Sequence, residues 1–182
     1  MREIEIKVRL EQPDKTLAAM ERAGIRLGTS MKQHDVVYGM RKDNGTFIHG
    51  SNWLRVRTEN DAQVIFTLKR SVTGELDSIE HEVTVDSASE LEAIILNLGY
   101  DLYSDLTKVR RKAKLGEIEI CYDEVPGLGK FMEFEKICPE DTDLEAVLRE
   151  LWEVAGQFGL GREAEETSGY DVLLRRKEGK PA

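Results

Sequence analysis

Charged and branched apolar residues alternate along Glu3-Ile4-Glu5-Ile6-Lys7-Val8, the period-two pattern of a β-strand, whose successive side chains point to opposite faces. Ile4, Ile6 and Val8 are expected to pack outward against helices, leaving Glu3, Glu5 and Lys7 on the opposite face. The same design returns in Leu54-Arg55-Val56-Arg57, Phe66-Thr67-Leu68-Lys69, Ile79-Glu80-His81-Glu82-Val83 and Phe131-Met132-Glu133-Phe134-Glu135. With the remaining β-like runs, strands are predicted near residues 31–40, 53–59, 62–70, 78–85, 106–115, 117–124 and 130–137. Asn60-Asp61 reads as a hairpin turn, Thr73-Gly74-Glu75 as a loop, Gly116 as a turn and Pro126-Gly127-Leu128-Gly129 as a glycine-rich connection.

Helical spacing interrupts this pattern in four places. Pro13 opens a helix that Gly24 closes, with Leu17, Ala18 and Met20 on one side. Ser87-x-x-Glu90 offers a capping box for a second helix carrying Leu91, Ile94, Ile95 and Leu98. Thr142-x-x-Glu145 offers another, before a stripe of Leu144, Val147, Leu148, Leu151, Trp152 and Ala155 that suits a core-facing helix. A short fourth helix is predicted around residues 168–176. Eight strands covered by helices indicate an α+β fold built on a closed antiparallel β-barrel, since closure removes exposed edges. One domain over residues 1–176 is expected, followed by a disordered tail at 177–182.

Same-sign charges two residues apart repel unless something of opposite sign sits between them. Paired glutamates suggest a divalent cation, and paired arginines and lysines suggest a polyanion such as a phosphate chain; together they suggest a metal–polyphosphate complex. Exterior salt-bridge ladders and a non-catalytic binding module are the competing readings. The 182 residues carry a net charge of -9 with a pI near 5.0, which argues against general binding to nucleic acid or anionic membrane. No apolar run is long enough to span a bilayer, and the N-terminus starts on a charged strand, so a soluble, cytoplasmic protein is expected. Cys121 and Cys138 read as free thiols. His34, His49 and His81 are scattered, without metal-site spacing, so oxygen ligands and a hard ion, Mg²⁺ or Mn²⁺, are expected.

The ordered set of motifs resembles the CYTH proteins, or triphosphate tunnel metalloenzymes. Glu-x-Glu-x-Lys falls on Glu3, Glu5 and Lys7, followed by Arg55 and Arg57, Lys69, Glu80 and Glu82, Lys108 with Arg110 and Arg111, and the run from Asp123 to Glu135. Ser168-Gly169-Tyr170 is a weaker echo. The resemblance implies an eight-stranded tunnel that binds a triphosphate with divalent metal. Glu3, Glu5, Asp123, Glu133 and Glu135 would then face the metal, with Glu80 and Glu82 as second-metal or orienting carboxylates. Lys7, Arg55, Arg57, Lys69, Lys108 and Arg110 would hold phosphate oxygens, with Lys7, Arg57 and Lys69 catalytic. Lys7 is the candidate general base, on the expectation that neighbouring cations lower its pKa.

Parity places Arg111 outside the tunnel and Glu119 inside it. The Asp123 to Gly129 segment and the Gln33-His34-Asp35 to Tyr38 strand are most similar to class IV adenylyl cyclases. That implies conversion of ATP to cyclic AMP and pyrophosphate; thiamine triphosphatase or inorganic triphosphatase activity is the alternative. The expected partner is a small-molecule triphosphate, namely ATP, thiamine triphosphate or tripolyphosphate, acting on a monomer or homodimer.

Overall fold

A computed structural model describes residues 1–48 and 50–181. His49, one of the three scattered histidines, and Ala182, the end of the expected tail, lie outside the described residues. The strands are β1 (Arg2–Arg9), β2 (Met31–Gly39), β3 (Trp53–Glu59), β4 (Gln63–Gly74), β5 (Asp77–Val85), β6 (Asp101–Leu115), β7 (Ile118–Val125) and β8 (Gly129–Cys138). The helices are α1 (Pro13–Arg22), α2 (Ala88–Asn97), α3 (Leu144–Gln157) and α4 (Tyr170–Lys177), with a short 3₁₀ turn at Arg162–Ala164. The strands follow the hydrogen-bonded order β1-β5-β4-β3-β2-β6-β7-β8 and close into a barrel, the fold class expected from the alternation.

Two compact units make up the chain: Met1–Met31 with Val109–Thr167, and Lys32–Lys108 with the segment from Ser168 onward. In the first, β1 pairs antiparallel with β8, and β8 with β7, which in turn pairs with β6. Ile4, Ile6, Ile118, Ile120, Tyr122, Met132 and Phe134 form one face of these strands and pack against Met20 of α1 and Val147, Leu151 and Ala155 of α3. Fully burying each such side chain stabilises the fold by about 1.5–3 kcal/mol, so this covered face fixes which side every charged neighbour must take. Cys121 and Cys138 are free and buried.

In the second unit β2, β3, β4 and β5 form a meander. Val36, Tyr38, Leu54, Val56 and Val64 pack with Ile95 of α2. The cover is incomplete at β5, where Val83 is 55% exposed. Asn60 and Asp61 turn the β2-neighbouring hairpin with φ of 50° and 56°, a left-handed pair that short polar side chains tolerate better than bulky ones. Gly39 is required by packing, because a Cβ there would run into the Trp53 ring.

Three boundaries differ from the sequence expectation. β4 continues to Gly74 and β5 begins at Asp77, so the predicted loop shrinks to two residues beside a register shift between Ser71 and Gly74. β6 starts at Asp101, five residues before the predicted start at Leu106. The cap of α3 is Asp143, whose carboxylate accepts from Glu145 N at 3.1 Å, while Thr142 N donates to Pro139 O within the preceding turn. Ser87 caps α2 as expected, accepting from Glu90 N. After α4, in the segment expected as a tail, Pro181 O accepts from Arg175 Nε at 2.9 Å and Nη2 at 2.7 Å.

Candidate functional site

Pairing register turns the sequence alternation into cross-strand rows. In the first unit Glu5 stands opposite Glu135, and Glu135 opposite Glu119. In the next row Lys7 faces Glu133, and Glu133 faces Cys121. One row further, Asp123 faces Arg110. All of these lie on the face opposite the helix-covered core. Glu5, Lys7, Arg110, Asp123 and Glu133 are buried, a costly arrangement for charges unless each is paired.

The pairing is dense. Arg110 grips Asp123 with Nε at 2.7 Å and Nη2 at 2.6 Å, reaches Glu135 at 3.2 Å, and bonds Glu133 through Nη2. Lys7 Nζ lies 3.2 Å from Glu5 and 3.3 Å from Glu133. Burial alone would lower the Lys7 pKa, but Glu5 and Glu133 outweigh it and hold the ammonium well above the ordinary lysine range. The expected lowered pKa is therefore reversed, because the nearest charges are carboxylates rather than cations. The Glu135 carboxyl is pushed up to about 7, first by burial and then by Glu133, Glu5 and Glu119, with Arg110 opposing.

Ligand oxygens of Glu5, Glu133 and Glu135 lie within 4.8 Å of one another, and a second group joins Glu119, Cys121 and Glu135 at the same spacing. Glu5 Oε1 is buried with no hydrogen bond directed at it, although Lys7 is at ion-pair distance. An under-satisfied carboxylate among crowded carboxylates fits a hard divalent cation, which would relieve the repulsion that raises Glu135. Glu3 is half-buried and belongs to neither group, and Asp123 is committed to Arg110. Arg111 lies off this face and donates to the Gly28 and Leu27 carbonyls. Glu119 accepts from Lys112 at 2.6 Å.

The second unit carries the opposite balance. Arg57 forks onto Asp35 with two bonds of 2.7 Å, as their direct register dictates. Arg55 Nη2 meets Thr67 at 3.2 Å, Glu80 at 3.4 Å and Glu82 at 3.2 Å, while Lys69 pairs with Glu80 at 2.9 Å. Lys108 is buried, its ammonium 4.8 Å from the centre of the Tyr170 ring. Arg55 Nε is buried without a hydrogen-bond partner, a donor suited to an incoming oxyanion. Glu80 is shifted down to about 2: burial opposes, and Lys69 and Arg55 prevail. Glu82 is half-exposed.

Three residues of this unit, Asp35, Gln33 and Arg175, were not singled out as site residues by sequence. Asp35 is the partner that holds Arg57, and Gln33 is buried against Glu59, donating from Nε2 at 2.7 Å. Their parity with Arg55 and Arg57 was available, but their partners required register. Arg175, from α4, stacks 4.3 Å from the Tyr103 ring centre and donates to Tyr103 O at 2.8 Å; helical spacing alone gave no reason to pick it.

The chain is similar to known proteins in sequence and in fold. "Putative adenylate cyclase MJ0240" of Methanocaldococcus jannaschii is 26% identical over 166 residues, covering 90% of this chain and 93% of its own. The PH1012 protein of Pyrococcus horikoshii OT3 superposes with a TM-score of 0.80 at 24% identity, over 94% of this chain and 98% of that one. "Putative adenylyl cyclase HpAC1" of Hippeastrum, described as having a dominant triphosphatase activity, superposes with a TM-score of 0.64 at 20% identity, over 100% and 98%. Among the described residues no helix is long and apolar enough to cross a membrane. The CYTH domain profile matches residues 1–170, and with the ordered motifs on the strands just described, the chain belongs to the CYTH domain family.

Proposed function

We propose that the protein is a divalent-metal-dependent enzyme acting on a triphosphate, with ATP cyclisation to cyclic AMP and pyrophosphate as the leading reaction. Glu5, Glu133 and Glu135 carry this reading: three carboxylates with oxygens within 4.8 Å of one another, sharing Lys7 and Arg110 as counterions, suit a divalent cation. Mg²⁺ or Mn²⁺ held there would supply Lewis-acid neutralisation of phosphate charge. Glu3 and Asp123 complete the carboxylate set, and Glu80 and Glu82 orient the cations of the second unit or serve a second ion.

Arg55, Arg57, Lys69 and Lys108 bind and orient phosphate oxygens, with Arg57 and Lys69 stabilising charge as it moves to the leaving group. Arg55 Nε supplies a donor that needs no prior bond to be broken. Lys7 and Arg110, held against Glu5, Glu133 and Glu135, add positive charge for phosphate oxygens, with Lys7 kept as the candidate general base. In cyclisation the ribose 3′-oxygen bonds to the α-phosphorus as its bond to the bridging oxygen breaks; pyrophosphate departs and the hydroxyl proton passes to Lys7 if unprotonated or to solvent. In the second reading water attacks the terminal phosphorus, its bond to the bridging oxygen breaks, the remaining diphosphate departs and the water's proton leaves to solvent; the triphosphatase activity of the Hippeastrum protein favours keeping it.

Incubating the purified protein with Mg²⁺ or Mn²⁺ and, separately, ATP, thiamine triphosphate and tripolyphosphate separates these outcomes. Cyclic AMP with pyrophosphate establishes cyclisation, and orthophosphate establishes hydrolysis. No product from any of the three, under either metal, would overturn the enzymatic reading.

A further inference from the structure

Gln33 presents a hydrogen-bonding problem that its neighbours solve only halfway. Its side chain is 0% exposed, and its Nε2 donates to Glu59 Oε1 at 2.7 Å. An ionised carboxylate can only accept, so Glu59 fixes which end of the amide is nitrogen. Gln33 Oε1 is thereby turned away and left buried with no partner. A buried acceptor in this state is destabilising, and native structures rarely leave one without a use.

Its position gives the use. The register runs in rows along β2, β3 and β4: Trp53 opposite Lys69, Arg55 opposite Thr67, Asp35 opposite Arg57, then Gln33 opposite Glu59. Alternate residues on a strand are about 7 Å apart, so the Gln33–Glu59 row lies next to the Arg57 row and about two rows beyond Arg55. It is the last row before the exposed Asn60–Asp61 turn. Cationic rows suit phosphate oxygens. In this terminal row Gln33 Oε1 is a buried acceptor without a partner, turned away from Glu59, and it suits an N–H donor at the far end of the same ligand.

We infer that Gln33, oriented by Glu59, is a specificity-determining residue that accepts a hydrogen bond from the exocyclic amine of a nucleobase, so that the site prefers amino-bearing nucleoside triphosphates. This rests on the triphosphate reading above and deepens it. Tripolyphosphate, which has no donor of this kind, is indifferent to the pair. Inosine triphosphate, which presents a carbonyl oxygen in place of the adenine amine, meets acceptor against acceptor and is rejected.

Calorimetric binding of ATP, inosine triphosphate and tripolyphosphate in the presence of Mg²⁺ tests this. The wild-type protein is expected to bind ATP about tenfold more tightly than inosine triphosphate, one hydrogen bond's discrimination. Gln33→Leu should bring that ratio to about one while tripolyphosphate still binds. Glu59→Gln frees the amide to turn over and should also erase the preference, chiefly by improving inosine triphosphate; being at a half-buried position, it serves if Gln33→Leu fails to fold. A wild-type ratio near one, or a ratio unchanged in either folded variant, overturns the inference while tripolyphosphate binding upholds the triphosphate reading. Absence of binding by all three ligands overturns both.

Discussion

The two units of the chain use one construction for opposite ends. Each buries charge on the face turned away from its helices, and each orders that charge in cross-strand rows. In the first unit the carboxylates Glu5, Asp123, Glu133 and Glu135 outnumber Lys7 and Arg110, and Glu5 Oε1 is a buried acceptor met, among the described residues, only by the Lys7 ion pair. In the second, Arg55, Arg57, Lys69 and Lys108 stand among Asp35, Glu59, Glu80 and Glu82, and the cationic rows leave a donor without a hydrogen-bond partner, Arg55 Nε. Internal pairing cancels most of the charge in both, which is how so many ions are tolerated inside a fold.

The sharpest way to break this contrast is to remove charge from the carboxylate side. Glu133→Gln keeps the side-chain shape but removes a charge shared by Lys7 and Arg110. Metal-dependent turnover should fall about a hundredfold or more, measured as rate against Mn²⁺ concentration, with a native circular dichroism spectrum. Full activity would remove Glu133 from the metal set.

On the cationic side, Arg57→Ala should weaken triphosphate binding and raise KM, and should also strip Asp35 of its fork. A buried carboxylate left unpaired costs about 3–5 kcal/mol, read from urea unfolding. Adding Asp35→Asn should recover much of the stability but not the affinity. Recovery of both would make Arg57 a structural counterion alone.

Acid titration sharpens the same pair. Burial would raise the Asp35 pKa, but Arg57, with Arg55 and Lys108 behind it, holds it far below the ordinary value. A depressed carboxylate stabilises the fold above its unfolded pKa of about 4, and that contribution is lost as pH falls from there toward the folded value. Stability should therefore drop below about pH 4, and Asp35→Asn should flatten that limb; an identical acid limb in the variant would contradict the assignment.

The smallest effect belongs to Arg111, which serves the carbonyls of Leu27 and Gly28 on the outside. Arg111→Ala should cost about 1 kcal/mol of stability in thermal unfolding and leave KM for the triphosphate unaltered. A large loss of affinity would place it with Arg110.

Much of this was legible in the chain because strand alternation is a strong, local signal. Parity alone put Glu5, Lys7, Arg57 and Glu133 on the charged face and Arg111 off it. Partnership was not legible, since it depends on register between strands distant in sequence. Arg110, expected only as a phosphate ligand, turns out to tie Asp123, Glu133 and Glu135 together. Lys7 was expected among cations and sits between carboxylates, which reverses its pKa shift. Asp35 and Gln33 acquire meaning only opposite Arg57 and Glu59. The cap of α3 moved one residue, from Thr142 to Asp143, because both residues are competent caps and only the preceding turn decides between them.

The most direct test of the central claim is calorimetric titration of tripolyphosphate into the protein with and without Mn²⁺, in wild type and Glu133→Gln. Linkage predicts that Mn²⁺ tightens tripolyphosphate binding about tenfold or more, that tripolyphosphate tightens Mn²⁺ by the same factor, and that Glu133→Gln abolishes the coupling. Tripolyphosphate binding that ignores both the metal and the substitution would contradict it.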